Sequence, residues 1–249
     1  MKNNMGLLVT GGSGLVGTQL MGDVKTDSTV DLRDSLLCDE LFKKERPNSV
    51  IHCAAKVGGL GGNMSMKGEF FYDNIMINTN VIESCRKYNV KKLVCFLSTC
   101  VFPDNVKYPL TEKKIHLGEP HNSNYPYAYA KRMADIQIRA YREQYNLNYV
   151  SVIPTNIYGP NDNFSDSEPL ILSTSIEVTI KDVVNLIVKH MNFNGSVVWE
   201  DDKPDGQHRK PSDNSKLLSY LPDFKFTSLE DGLGETIDWF INNYDSSRK

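Results

Sequence analysis

The sequence predicts an α/β fold of the Rossmann type, a doubly wound parallel sheet followed by a reduced C-terminal substrate lobe. Short apolar segments rich in β-branched residues alternate with helical stretches of ten or more residues. This alternation is typical of βαβ units, in which crossover helices make neighbouring strands parallel. A glycine-rich turn directly after the first apolar segment is the second indication. We expect a dinucleotide-binding domain over residues 1–160 and the shortened lobe over residues 161–249.

The individual elements follow from apolar runs and their terminators. The first predicted strand covers residues 7–10 and ends at glycines, and the others cover 49–55, 92–98, 149–153 and 170–172. Helices are predicted to begin near Leu15 and to cover 35–45, 69–88, 126–145, 179–191 and 229–243. Asp31 lies only fourteen positions after Gly17, which is too few for a full helix and strand. The second strand is therefore expected to be short or absent, and this segment does not distinguish NAD from NADP.

Composition and charge exclude several classes of protein. The 249 residues are 40% hydrophobic and 24% charged, which argues against disorder and coiled coil, and the net charge of −3 argues against a nucleic-acid partner. No apolar run approaches the roughly 18 residues of a membrane helix, and the N-terminus lacks the core of a signal peptide. The five cysteines and five histidines show no metal-ligand spacing. We expect a soluble, reduced, cytoplasmic protein without a metal site.

The glycine turn is the strongest single motif. Residues 11–17 contain G-x-x-G-x-x-G between a predicted strand and a predicted helix. Glycines at these positions permit a tight turn and let backbone N–H groups approach a pyrophosphate at the helix N-terminus. The alternative is a purely structural turn. The candidate cofactor-binding residues are Gly11, Gly12, Ser13, Gly14, Leu15, Val16 and Gly17.

Tyr127 and Lys131 lie four residues apart and therefore on one face of a predicted helix. A phenol with a pKa near 10 needs a neighbouring ammonium to work as a proton donor or acceptor at neutral pH. The spacing alone is weak evidence, since Tyr88 and Lys92 share it. Context favours the first pair, because a predicted strand ends at Ser98, where ligands bind in open α/β sheets. Ser98, Tyr127 and Lys131 are predicted to be catalytic, and the alternative is an exposed helix face.

Cys100 follows Ser98 by two residues, and chemistry alone favours a buried structural cysteine. A thiol at a strand end can instead remove a proton next to a carbonyl group. The 69–88 helix has apolar residues on two faces, with Phe70, Ile77 and Val81 on one and Phe71, Ile75 and Ile82 on the other. One face should pack on the sheet, and the other against more core, a second helix or a second subunit.

Segments spread over almost the whole chain resemble the extended short-chain dehydrogenase/reductase family of NAD-dependent epimerases and dehydratases. The resemblance is greatest to the members that epimerise and reduce GDP-linked 4-keto sugars, and residues 57–59 and 98–100 are specific to these. The matching segments are residues 9–17, 54–60, 97–103, 120–124, 127–132, 154–164, 205–207, 214–217 and 220–224.

The resemblance implies an NADPH-dependent enzyme, a homodimer, that epimerises a GDP-4-keto-6-deoxy sugar at C3 and C5 and reduces it at C4. In this family Tyr127 would protonate the C4 oxygen, Lys131 would bind the nicotinamide ribose and Cys100 would be the base of the epimerisations. The nicotinamide side would be lined by Leu97, Ser98, Pro154, Thr155, Asn156 and Ile157. Asp205 and Lys210 would contact the nucleotide sugar.

The chain departs from the family pattern after Phe164. There the family has a histidine, the general acid that partners the cysteine, and then a helix with a substrate-binding arginine, but here residues 165–169 run directly into Leu170. Loss of the acid should slow epimerisation by about 10²–10⁴. Two alternatives therefore accompany the expected activity. One is an impaired chain that acts only by dimerisation, and the other is an enzyme for another nucleotide sugar.

Overall fold

The computed structural model describes residues 6–20, 22–26, 29–58, 60–155, 170–199 and 211–242. Its sheet has six parallel strands in the order β2-β1-β3-β4-β5-β6. The strands are β1 Leu7–Thr10, β2 Val24–Lys25, β3 Ser49–His52, β4 Lys92–Phe96, β5 Asn148–Pro154 and β6 Leu170–Leu172. The predicted parallel Rossmann-type sheet is confirmed.

Helices connect the strands as predicted, with small differences at the ends. They are α1 Leu15–Gln19, α2 Ser35–Glu45, α3 Leu60–Ser65, α4 Lys67–Lys87, α5 Tyr125–Tyr145, α6 Ile180–His190, α7 Ser215–Tyr220 and α8 Leu229–Asn242. The short helices α3 and α7 were not predicted, because six residues are too few for helical periodicity to show. No helix in the described ranges is long and apolar enough to cross a membrane.

Two strands end earlier than predicted. β3 stops at His52 rather than at residue 55, and β4 stops at Phe96 rather than at residue 98. The residues that follow each strand are small or apolar, so composition does not separate them from the strand. In the structure they leave the sheet, and Cys53, Ala54, Ala55 and Leu97 line a cleft instead.

The second strand is short, as predicted. β2 pairs with β1 through Leu8 with Val24 and Val9 with Lys25 only. Because α1 has only five residues, the chain returns to the sheet close to the glycine turn, and the Gly12 N–H donates to the Thr26 carbonyl at 2.6 Å. β2 is an edge strand, so its shortness leaves the pairing of β1 with β3 intact.

The main core lies between the sheet and helices α2, α4 and α5. Of the two apolar faces predicted for the 69–88 helix, Phe70, Val81 and Ile82 are buried, whereas Phe71 is exposed. α4 packs against α5, which makes a second helix of the same chain its neighbour. The largest buried apolar residues of this core include Leu8, Phe42, Phe70, Ile82, Leu93, Phe102, Ile138, Tyr149 and Ile153.

The C-terminal region contributes to the same sheet. β6 pairs with β5, and Leu217 of α7 is buried in a second core cluster with Val150 and Leu172. α6 packs against α8, and Lys189 pairs with Glu230 across them. The apolar residues Val197, Val198 and Trp199 lie outside the strands and are exposed. The boundary at residue 160 stays a prediction.

Candidate active site

A cleft of about 660 Å³ lies at the carboxyl ends of β1 and β3. The strand order reverses at β1, since β2 lies on one side of it and β3 on the other. In open α/β sheets ligands bind at this reversal point. The cleft walls are the glycine turn, the segments after β2, β3 and β4, one face of α4 and the start of α5. They are Gly11, Ser13, Gly14, Val16, Gly17, Val30, Asp31, Leu32, Arg33, Cys53, Ala54, Ala55, Lys56, Val57, Asp73, Ile77, Phe96, Leu97, Tyr127, Lys131 and Pro154.

The glycine turn needs glycine for steric reasons. Gly11 has a φ of +72°, and a Cβ there would lie 2.7 Å from the Ala54 nitrogen. A Cβ on Gly17 would lie 2.2 Å from the Gly11 carbonyl oxygen. Gly12 faces β2 rather than the cleft, and Leu15 is the first residue of α1. A turn this tight at the start of a helix, opening into a cleft of this size, fits a dinucleotide.

A charged cluster at the far end of the cleft was not predicted. The Asp73 carboxylate of α4 is buried and pairs with Arg33 at 3.2 Å and with Lys56 at 3.0 Å. Arg33 also binds Asp31 at 2.8 Å, and these hydrogen bonds hold the pKa of Asp31 below its ordinary value. The sequence could have indicated this cluster, because the charged residue Asp73 lies on the same helix face as the apolar residues Phe70 and Ile77. Arg33 is a suitable partner for the 2′-phosphate of NADP. The sequence did not indicate this role, because the segment before Arg33 is too short to show where the second strand ends.

Tyr127 and Lys131 lie together on the cleft wall, as predicted. The Lys131 ammonium is 5.9 Å from the centre of the Tyr127 ring and donates to the Phe96 carbonyl at 2.9 Å. Burial raises the pKa of Tyr127, which keeps the phenol protonated at neutral pH, and burial lowers the pKa of Lys131. A protonated phenol beside an ammonium can give a proton to an oxygen that gains negative charge.

Ser98 and Cys100 lie just beyond the wall, on the turn that follows β4. Neither is among the residues that line the cleft itself, whereas their neighbour Leu97 is. Ser98 caps the 3₁₀ turn Thr99–Val101, and its oxygen accepts a hydrogen bond from the Cys100 N–H at 3.4 Å. This leaves the Ser98 hydroxyl proton available to donate. Cys100 is buried and close enough to Tyr127 to interact with it electrostatically.

A buried polar chain connects four elements, β1, β3, α4 and α5. The His52 ring bonds to the Thr10 hydroxyl at 2.7 Å and to the Asn78 amide oxygen at 3.0 Å. Because an amide oxygen only accepts, His52 donates from Nε2 and accepts from Thr10 at Nδ1. Asn78 in turn donates to the Ala130 carbonyl at 3.5 Å, next to Lys131. Burial, together with the charge of Lys131, lowers the pKa of His52 to about 3.

The remaining predicted residues divide between two groups. Pro154 lines the cleft, and Thr155 lies beside it, where its hydroxyl donates to the Leu172 carbonyl at 3.1 Å. Asn156, Ile157, Asp205 and Lys210 lie outside the described residues. Within the described part of the chain, no three histidine, cysteine or acidic side chains cluster as they would around a metal ion.

Comparison with known proteins agrees with this geometry. The model of the NAD dependent epimerase/dehydratase family matches residues 7–186. The chain belongs to this family. A GDP-L-fucose synthase from Dictyostelium discoideum is 40% identical over 98% of this chain and 97% of that protein. A probable GDP-L-fucose synthase from Drosophila melanogaster is 36% identical over 98% of this chain and 99% of that protein.

A solved structure has the same fold as this chain. A GDP-L-fucose synthetase from Naegleria fowleri, bound to NADP, matches with a TM-score of 0.89 and 36% identity, covering 100% of this chain and 96% of that one. The alignment to the Dictyostelium GDP-L-fucose synthase has 311 positions and this chain has 249 residues, so at least 62 positions (311 minus 249) have no residue here. That difference agrees with the internal segments that the sequence lacks.

The glycine turn yields a first prediction. Gly17→Ala places a methyl group against the Gly11 carbonyl, so we expect it to disrupt the turn and weaken NADPH binding at least tenfold, measured by quenching of protein fluorescence. Gly68→Ala is the matched control, because a Cβ on Gly68 meets nothing within 4 Å. Equal affinities for the two variants would contradict the role of the turn.

His52 yields a prediction about pH and stability. In the folded state its pKa is about 3, whereas an unfolded histidine titrates near 6.5. Between these values only the unfolded state binds the proton, so stability is lost as pH falls below about 6.5. The unfolding free energy should be about 1.4 kcal/mol lower at pH 5.5 than at pH 7.5 on account of this residue.

Urea unfolding at the two pH values measures this effect. His52→Gln should remove about 1.4 kcal/mol of the difference between them. Val50→Ala, a buried and non-titrating residue of the same strand, should lower stability equally at both pH values. A His52→Gln variant with the wild-type pH dependence would show that His52 is not buried uncharged.

Proposed function

We propose that this chain makes GDP-L-fucose from GDP-4-keto-6-deoxy-D-mannose, by epimerisation at C3 and C5 and NADPH-dependent reduction at C4. One observation carries the proposal: Tyr127 and Lys131 share a single cleft with the glycine turn. This places a proton donor and a cation in the cleft where a dinucleotide fits. The identity of the substrate is inferred from the relatives, which are named as GDP-L-fucose synthases.

For the reduction, bound NADPH supplies the hydride that C4 receives. Tyr127 gives its phenolic proton to the C4 oxygen, and the Ser98 hydroxyl donates to the same oxygen and holds it in place. Lys131 stabilises the phenolate that remains and binds the ribose of the cofactor. The Arg33 guanidinium at the far end of the cleft is the candidate for the 2′-phosphate.

For each epimerisation, the Cys100 thiolate takes the proton from the carbon next to the C4 carbonyl. The electron pair of that C–H bond moves onto the carbonyl oxygen as an enolate. Solvent water then gives a proton to the opposite face of the carbon as the enolate electrons form the new C–H bond and the C4 carbonyl is restored, and the cysteine gives its own proton to the resulting hydroxide, which regenerates the thiolate. No histidine lines the cleft within the described ranges, so the family's acid has no counterpart among these walls.

The rest of the proposal concerns the remaining binding residues, the domain boundary and the cellular location. We place the nucleotide-sugar contacts at Asp205 and Lys210, and Asn156 and Ile157 with Pro154 and Thr155 on the nicotinamide side. The dinucleotide-binding domain would end near residue 160. The cytoplasm is the proposed location, since all five cysteines are free thiols, which suits a reducing compartment.

We also propose a homodimer. Phe71 and Tyr72 of α4 and Met133 and Ile136 of α5 are exposed, on the two helices that pack together outside the sheet. Exposed apolar residues grouped on neighbouring helices are typical of protein interfaces. A dimer built this way would bury the exposed apolar residues of α4 and α5.

The activity prediction uses purified protein, NADPH and GDP-4-keto-6-deoxy-D-mannose. We expect NADPH oxidation and a GDP-L-fucose product, identified by chromatography and NMR. Tyr127→Phe should lower kcat by about 10²–10⁴, because it removes the proton donor. Tyr88→Phe is the matched control, since Tyr88 has the same spacing to a lysine but lies away from the cleft.

The products separate the two halves of the reaction. Cys100→Ser should stop exchange of the C3 and C5 protons with deuterium oxide and give the C4-reduced sugar without epimerisation, GDP-rhamnose. The same product from the wild-type chain would show that reduction alone survives. No NADPH oxidation by the folded protein would overturn the proposal and leave a chain that acts by dimerisation.

The dimer is tested by sedimentation equilibrium at micromolar concentration. Ile136→Glu should give a monomer, because it buries a charge in the proposed interface. Leu36→Glu changes an exposed residue of α2 and should leave the dimer intact. A wild-type chain that is monomeric throughout would contradict the interface.

A further inference from the structure

We propose that Arg132 is the counter-ion of the Cys100 thiolate and positions the turn that carries it. The inference deepens the proposed function, because it rests on Cys100 being the base of the epimerisation. Arg132 follows Lys131 directly in α5. Its environment shows why a cation stands there.

Arg132 holds both ends of the loop that follows the Cys100 turn. Its Nε donates to the Val101 carbonyl at 2.6 Å and its Nη1 donates to the Gly118 carbonyl at 2.7 Å. Val101 is the neighbour of Cys100 and the last residue of its 3₁₀ turn. A planar guanidinium that binds two carbonyls fixes their positions relative to each other. The turn that carries Cys100 is thereby held against α5.

The charge of Arg132 lacks a carboxylate partner in the described part of the chain. The side chain is 4% exposed, and no acidic group there lies within 4.0 Å of it. Its Nη2 atom is buried and has no hydrogen-bond partner among those residues. A buried cation without an anion is unfavourable, so a nearby group that can become negative is favoured in its ionised form.

Cys100 is the group that can supply that negative charge. It is 8% exposed, and burial by itself would oppose its ionisation. Arg132 interacts electrostatically with Cys100 and with Tyr129, whose ring centre is 5.3 Å from the guanidinium carbon. In the described part of the chain, Tyr127, a neutral phenol, and the Lys131 ammonium also interact electrostatically with Cys100. Lys131 and Arg132 are cations, and both favour the ionised form of the thiol.

The pairing also suits the reaction. When the thiolate accepts a proton from the sugar it becomes a neutral thiol, and the negative charge passes to the enolate oxygen. Arg132 stays charged throughout, so its field stabilises the anion both before and after the transfer. Ordinary burial of Cys100 in the core would not need a cation at this position.

The pH dependence of Cys100 alkylation tests the pairing. Wild-type protein is treated with iodoacetamide across a pH range, and labelling of Cys100 is followed by peptide mass spectrometry, which separates it from the other four cysteines. We expect an apparent pKa below the ordinary value of about 8.5 for a cysteine. Arg132→Met should raise it by at least one unit, which is a tenfold loss of thiolate near pH 7, and Arg132→Lys should keep most of the lowering.

The wild-type measurement keeps the test decisive even if Arg132→Met does not fold. The pH-dependent thiolate absorbance at 240 nm, taken as the difference between wild type and Cys100→Ser, gives the same pKa without any change at Arg132. A value at or above about 8.5 would overturn the pairing. The same holds for an Arg132→Met variant that folds and keeps the wild-type profile.

The proposed function fails by a different readout. If Cys100→Ser still exchanged the C3 and C5 protons of the sugar with deuterium oxide, Cys100 would not be the base, whatever its pKa. If exchange were lost in Cys100→Ser but the alkylation profile did not depend on Arg132, the function would stand and the pairing would fall. Arg132→Lys, tested for exchange against pH, then shows whether charge or shape at this position sets the rate.

Discussion

The hydrogen bond from the Lys131 ammonium to the Phe96 carbonyl fixes the geometry of the whole site. A buried cation needs hydrogen-bond acceptors, and the carbonyl of Phe96, the last residue of β4, provides one. This bond sets the rotation of α5 against the sheet. Tyr127, one turn earlier, then faces the cleft. Arg132, one residue later and about 100° around the helix, faces the turn that carries Cys100.

The sheet explains how the chain can lack segments its relatives have and still show the same fold. β2, the shortened strand, is one edge of the sheet, and β6, which directly follows the second missing segment, is the other. Removing residues beside an edge strand leaves the inner ladders unbroken. The paired strands β1, β3, β4 and β5 hold the glycine turn, the segment after β3 and the start of the Cys100 turn. The glycine turn and the Ser98 turn of the proposed reductive site follow these inner strands, and Tyr127 and Lys131 lie on α5.

The sequence predicts the strands and long helices well, because apolar runs and glycine or proline terminators mark them. It predicts Tyr127 and Lys131 through context rather than spacing. It does not predict the roles of Asp73 and Asn78, the polar residues inside α4. Helical periodicity assigns these positions to the core but does not show which groups pair with them. The buried position of His52 was missed for the same reason, because its hydrogen-bond partners Thr10 and Asn78 lie 42 and 26 positions away in the sequence.

The ends of strands also cannot be predicted from composition. Residues 53–55 have the composition of the strand before them, and only the absence of a further ladder partner moves them into the cleft wall. Leu97 after β4 also lines the cleft, although its N–H still donates to the Val152 carbonyl of β5 at 2.8 Å. Cys100 illustrates a different limit, since burial and a catalytic role are compatible, and composition cannot choose between them.

Adjacent buried cations on α5 connect the two halves of the proposed reaction. Within the described residues, Lys131 and Arg132 are both held by main-chain carbonyls and by no carboxylate. Each half creates a negative charge, as a C4 oxygen beside Tyr127 in the reduction and as a thiolate or enolate beside Cys100 in the epimerisation. Cations fixed by the backbone need no reorganisation when those charges develop. The unfavourable burial of two positive charges in the free protein is therefore offset in the steps where the anions form.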